Sequence, residues 1–191
     1  MSWYKTASDE STKEMEKWFE DRTKRHIGLV QKYCNKIDKY DSDRFKGIIK
    51  RGEDHDLSKW ENPERDPYVF ISWQYKCKDD DVDFNISQEM EDKMNQATQH
   101  HVNQNLHHPE SHCENDTDLI NRSDRDKPPE EMVDATKMKD LDIAEMTADW
   151  CAMSDEKNSK PKDWADKNVN VRWEFTDEQK DLIYELIEEI F

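Results

Sequence analysis

Residues 15–37 read Met15-Glu-Lys-Trp18-Phe19-Glu-Asp-Arg22-Thr-Lys-Arg-His26-Ile-Gly-Leu29-Val30-Gln-Lys-Tyr33-Cys-Asn-Lys-Ile37. Met15, Trp18, Phe19, Arg22, His26, Leu29, Val30, Tyr33 and Ile37 recur at intervals of three and four, the period of one helical face. Ser8 or Ser11 is placed to cap the start of this helix. His26 falls in the middle of the apolar stripe, so the helix aims an imidazole at its own core.

Outward from this helix, the same period continues. From about Asp43 to Trp60 a second helical segment carries Phe45, Ile48, Ile49, Gly52, Asp56 and Lys59 on one side. His55 and Asp56 adjoin and reach one point at the edge of that face. Asp66-Pro67 reads as an N-cap followed by proline in the first helical position. The helix it opens runs through Tyr68, Phe70, Ile71 and Tyr75, with a strand as the alternative for the β-rich run Tyr-Val-Phe-Ile-Ser-Trp. Cys77 to Asp83 is a solvated loop, and from about Ser87 the residues Met90, Met94, Ala97 and His101 form a further stripe. A polar loop is expected at 111–129, then a helix or turn after Pro128-Pro129 through Met132, Val133 and Met138. Ile143, Met146, Trp150 and Met153 mark another helix, with Asp142 and Asp149 on its flank. Lys157 to Asp166 reads as a polar connection. Thr176-Asp-Glu-Gln179 is a capping box for a last helix bearing Leu182, Ile183, Leu186, Ile187 and Ile190. Six or so helices and no convincing sheet predict an all-α, single-domain bundle over 1–191, its core at about 12–191, with long charged loops.

Composition narrows the function. At 191 residues there is room for one domain. Asp and Glu number 46 against 29 Lys and Arg, a net charge of −17. Such a surface does not release counterions from nucleic acid, which argues against sequence-independent DNA or RNA binding. Three glycines are too few for the phosphate turns of Rossmann and P-loop folds. No apolar run approaches the roughly 20 residues that cross a bilayer, and Met1-Ser2-Trp3-Tyr4-Lys5 lacks the apolar centre of a signal peptide. The four cysteines form no Cys-x-x-Cys pair and read as free thiols of a reducing compartment. A soluble cytoplasmic protein is expected, without a membrane partner. Leu, Ile, Val and Phe supply only 31 residues, which borders on the profile of disorder. Seven Trp, six Tyr and eight Met restore apolar area, and metal ligation would add stability that so small a core lacks.

Taken singly, each of the seven histidines reads as a core or surface residue. The adjoining His55-Asp56 pair changes that. Two ligands of different type from one helix, with one from a preceding helix and a carboxylate from a late one, enclose a divalent cation. Imidazole with carboxylate suits Mn, Fe, Co, Ni or Zn better than Ca. His112-Cys113 is a metal pair by type, but its polar setting makes it a loop segment.

His26, His55-Asp56 within His-Asp-Leu-Ser-Lys, and a distant Asp149 resemble the HD-domain superfamily of metal-dependent phosphohydrolases. Four segments are closer still to a small HD-like family found in bacteria and phages. They are residues 55–59, His100-His101 to Glu110, Ile143 to Ser154, and the tail from Trp173. The resemblance covers residues from about 22 to the end. It implies an HD-like helical core in which His26, His55, Asp56 and Asp149 hold one metal. His101, His107 and His108 are the matching candidates for a second metal or for substrate. Lys59 matches the lysine of the HDxGK motif, which would neutralise a phosphate oxygen or assist the leaving group. Asp56 would serve as ligand and orient the attacking water, and Glu64 or Glu110 would hold a ligating imidazole by hydrogen bond.

The expected activity is metal-dependent hydrolysis of a nucleotide or another small phosphate ester, using one or two transition-metal ions. The acidic balance favours a small substrate over a polynucleotide. Two alternatives stand beside it. The additional histidines would suit a di-iron oxygenase of the same fold. The carboxylate clusters Asp79-Asp80-Asp81, Glu130-Glu131 and Glu188-Glu189 would suit a non-enzymatic acidic protein that mimics DNA, although a solvated surface is the plainer reading of them. The aromatic content leaves room for a homodimer.

Overall fold

The computed structural model describes residues 10–113 and 132–191. Ser8, Pro128-Pro129, Glu130-Glu131 and most of the expected 111–129 loop lie outside the described residues. Seven α-helices carry the described chain: α1 (Lys13–Tyr40), α2 (Ile48–Asp54), α3 (Arg65–Asp79), α4 (Gln88–Gln104), α5 (Asp140–Lys157), α6 (Pro161–Asn168) and α7 (Asp177–Ile190). Two strands of two residues each, β1 (Val133–Asp134) and β2 (Trp173–Glu174), pair in parallel. The fold is all-α. None of the described helices is long and apolar enough to cross a membrane. All four cysteines are free thiols.

Contacts divide the described residues into two compact units, residues 10–23 with Leu57–His101, and Lys24–Asp56 with residues 102–113 and 132–191. In the first unit Met15 and Phe19 of α1, Tyr68 to Ile71 of α3, and Met90, Met94 and Ala97 of α4 form the core. The Phe19 and Trp60 rings lie 5.3 Å apart at its edge. Thr12 caps α1, its hydroxyl accepting the Met15 N–H at 3.2 Å, while the Ser11 hydroxyl donates to Glu16 instead. The β-rich run 68–73 is helical because Tyr68, Val69, Phe70 and Ile71 are all buried among apolar neighbours, and packing overrides a weak local preference. The helix starts at Arg65, so Pro67 occupies its third position and not its first.

The second unit is built around α5. Residues 142–148, Trp150, Cys151, Ala152 and Ser154 are all buried, so this helix is enclosed on nearly every side. It packs on α7, α2 and α6. Ala144, Thr147, Ala148 and Ala152 are small enough to let those helices approach. The Trp150 and Trp173 rings stack 5.7 Å apart. On α7 the capping box forms as expected: Thr176 accepts the Gln179 N–H, and the Gln179 side chain accepts the Thr176 N–H. The Gln179 amide nitrogen also donates to the carbonyls of Thr136 and Met138, at 3.1 and 2.8 Å.

Two expected elements need correction. Residues 43–60 are not one helix. A turn with Gly47 at φ 101° leads into α2, which ends at Asp54, and a 3-10 turn follows at Leu57–Trp60. The polar connection 157–166 contains most of α6, opened by Pro161 in its first position and anchored by fully buried Ala165. Of the helix or turn expected through Met132 and Met138, the turn forms, after the two residues of β1: Asp134 accepts the Thr136 N–H at 2.9 Å.

Candidate metal centre

The break after α2 creates the site. On a continuous helix, adjacent side chains diverge by about 100°. Here His55 leaves the helix with ψ 128°, and Asp56 turns back at φ 58° in the left-handed region. Aspartate is among the few non-glycine residues that accept that conformation. The two side chains can then converge: Nε2 of His55 lies 3.6 Å from Oδ2 of Asp56.

His26 from α1 and Asp149 from α5 complete the group within the second unit. His26 Nε2 is 3.0 Å from Asp149 Oδ1 and 3.9 Å from Asp56 Oδ2, and His55 Nε2 is 3.9 Å from Asp149 Oδ1. A cation with ligand bonds of ~2.0–2.2 Å holds neighbouring donor atoms roughly 3.0–3.5 Å apart. The His26–Asp149 separation falls within that range, and the other three, at 3.6–3.9 Å, lie just beyond it. Nε2 of His55 is buried and has no hydrogen-bond partner, which is costly for a polar atom unless a ligand satisfies it. The donor set is two imidazoles and two carboxylates, residue types that could hold a metal ion. His26, His55 and Asp56 are buried, and the Asp149 side chain, 18 % exposed, is the most open of the four.

A further carboxylate, not anticipated from the sequence, stands behind these residues. Glu145 lies one turn before Asp149 on α5, buried, with Oε1 3.0 Å from Nδ1 of His55 and 3.2 Å from Nδ1 of His107. Its other oxygen accepts from Arg51 Nε, and Arg51 Nη2 reaches Asp142 at 2.9 Å. The signal available in the sequence was the spacing: Glu145 and Asp149 at i and i+4 in a helix otherwise buried need partners, and Arg51 precedes His55 by the same interval.

Electrostatics within the group follow from burial and pairing. Burial pushes the Glu145 carboxyl up, but hydrogen bonds from His107 and His55 outweigh it and hold the group well below the usual range. Asp149 is held down in the same way, burial being overcome by the His26 hydrogen bond and by His26, His55 and His107. At His55 burial dominates and lowers the pKa. At His107 burial is outweighed by the hydrogen bond to Glu145 and the charges of Glu145, Asp56 and Asp149, so its pKa rises.

The remaining expected residues fall as follows. His107 Nε2 lies 3.8 Å from Asp56 Oδ1, on the opposite oxygen from His55, and the His108 ring is 4.2 Å from that of His107. His101 belongs to the first unit, where Glu64 accepts from Nδ1 of His101 at 2.9 Å, from Nδ1 of His100 at 2.7 Å and from Ser58 Oγ at 2.9 Å. Lys59, also in the first unit, holds its ammonium 5.1 Å from the centre of the Tyr68 ring. Glu110 accepts from the indole N–H of Trp173 at 3.0 Å and not from an imidazole. His112 bonds to the Leu106 carbonyl at 2.9 Å, which occupies Nε2. Cys113 packs against the main core.

Residues 15–189 match the family of unknown function DUF5662, and the chain belongs to that family. No curated protein and no solved structure matches it.

Proposed function

We propose that the protein is a metal-dependent phosphohydrolase of HD type, acting on a nucleotide or another small phosphate ester. The observation that supports this most is that Asp56 Oδ2 and Asp149 Oδ1 each lie 3.0–3.9 Å from both His26 Nε2 and His55 Nε2, with His55 Nε2 buried and otherwise unsatisfied. These four residues would hold a divalent transition cation, which would supply Lewis acidity and a water of lowered pKa. The residues themselves do the rest. His26 and His55 give neutral donors, Asp56 and Asp149 balance a double positive charge, and the buried setting strengthens each interaction. The second oxygen of Asp56 lies 3.8 Å from His107 Nε2 and can orient a water there. Lys59 lies over Tyr68 in the first unit, and the chemistry above uses residues of the second unit alone. A net charge of −17 repels polyanions and favours a small substrate that a local cation can attract.

A second reading, a di-iron oxygenase, draws on Asp56 Oδ1 facing His107 Nε2 at 3.8 Å, since a carboxylate with donors on both oxygens is suited to bridge two ions. Elemental analysis of protein purified without chelator or histidine tag separates the two. About one equivalent of Mn, Co, Ni, Zn or Fe per chain, with release of phosphate from nucleotides in a screen, supports the phosphohydrolase. Two irons with a visible absorption band support the oxygenase. No metal bound, and none taken up on incubation, refutes both and leaves an acidic binding protein.

A further inference from the structure

Glu145 is committed through both of its oxygens. One oxygen faces the Nδ1 atoms of His55 and His107, and the other carries the Arg51 guanidinium, itself paired with Asp142. His55, His107 and Glu145 bring three donor atoms close enough to hold a cation themselves. The guanidinium argues against that occupant, because a second positive charge would stand across the same carboxylate. A cation there would also leave Nε2 of His55 buried and unsatisfied beside Asp56 and Asp149. Hydrogen bonding meets both constraints. A carboxylate that accepts from Nδ1–H leaves the lone pair on Nε2, the form in which imidazole ligates a metal.

Resting on the cation reading above, we propose that Glu145 is a positioning residue: it accepts from Nδ1–H of both His55 and His107 and so presents both Nε2 lone pairs toward Asp56 before any cation arrives. Arg51 and Asp142 anchor the carboxylate, fixing which oxygen meets the imidazoles. Without this clamp, a free imidazole exchanges its proton between the two nitrogens and must be reset each time a metal binds.

The tautomers can be read directly. In the full chain, labelled with nitrogen-15 at histidine, stripped of metal and held at mildly alkaline pH, long-range nitrogen–proton spectra show which nitrogen carries the proton. The expected result is protonated Nδ1 and bare Nε2 at His55 and His107; the reverse at His55 overturns the proposal. In Glu145→Gln the single amide oxygen stays with the Arg51 guanidinium, and the NH₂ faces the Nδ1 atoms, to which it can only donate. The Nε2–H form should then appear at His55, and Mn²⁺ affinity, measured by the free-ion spin resonance signal, should fall about 10–100-fold. Unchanged tautomers with unchanged Mn²⁺ affinity overturn it. The wild-type spectrum alone decides the matter if Glu145→Gln does not fold. A wild-type chain with the expected tautomers that takes up no Mn²⁺ refutes the cation reading while supporting the clamp. Mn²⁺ uptake with the reverse tautomer refutes the clamp alone.

Discussion

A Cβ atom on Gly52 would stand 2.9 Å from the sulfur of Cys34 and 3.0 Å from its Cβ, so α2 meets α1 with no room for a methyl group. Three residues after this contact the chain reaches His55. Gly52 therefore sets how far α2 lies from the helix that carries His26.

Gly52→Ala tests that contact. Alanine gains about 1 kcal/mol of helix propensity over glycine, but overpacking of roughly 1–3 kcal/mol opposes it, and the atoms struck are the near end of a buried side chain. The net effect expected is a loss of stability, seen as a lower urea midpoint with unchanged slope. Cys34→Ala in the same chain removes the sulfur and should restore part of the loss in a double-mutant cycle. A Gly52→Ala protein as stable as the wild type would mean that the contact costs no more than the helix propensity alanine gains.

Asp56→Asn isolates ligation from backbone conformation. Asparagine accepts the left-handed geometry at φ 58° and matches the volume of aspartate, so the helical content should persist. Mn²⁺ affinity should fall by at least ~100-fold, as expected when a charged ligand becomes neutral. In the wild type, excess Mn²⁺ should raise the melting temperature by mass action, and a chelator should lower it again. Asp56→Asn should show neither response. Full metal occupancy in this variant would remove Asp56 from the ligand set.

Glu64 predicts a pH dependence in the first unit. Burial raises its pKa, but hydrogen bonds from His101, His100 and Ser58 more than offset this, so the folded value lies below 4.5. A depressed carboxyl pKa contributes stability that is fully present above the unfolded value and lost as pH falls through the folded one. Glu64→Gln lacks that contribution. The difference in unfolding free energy between wild type and Glu64→Gln should be constant above about pH 5 and shrink as pH falls below about 4.5. A difference that grows on acidification would mean that the carboxyl is protonated in the native state.

Thr176 and Gln179 provide a test remote from the histidines. Thr176→Ala should cost about 1 kcal/mol through loss of the N-cap. Gln179→Ala should cost more, because its amide also donates to the carbonyls of Thr136 and Met138. Chemical denaturation of both variants measures the order, and equal costs would reduce Gln179 to a capping role.

Much of the fold is legible in local patterns. The three-four spacing from Met15 to Ile37 places α1 and turns His26 inward, and Thr176 with Gln179 marks the start of α7. Both signals act within a few residues of themselves. The β-rich run from Tyr68 does not declare its state, because a short continuous apolar run suits a buried helix and a buried strand equally. The α6 helix was hidden by its polar composition, since one buried alanine and a leading proline carry little periodicity.

The amino-acid order by itself determined an all-α chain of strong negative charge, with imidazoles on inner helical faces and a His55-Asp56 pair beside them. These follow from residue type and helical period, which need no knowledge of distant partners. Tertiary structure decided the rest. The reversal at Asp56 aims two adjacent side chains at one point, and the burial of α5 on nearly all sides brings Glu145 and Asp149 to opposite nitrogens of His55, at 3.0 and 3.9 Å. Residues 26, 55, 107, 145 and 149 come from distant stretches of chain. Their distances depend on how whole helices pack, and no local spacing encodes that.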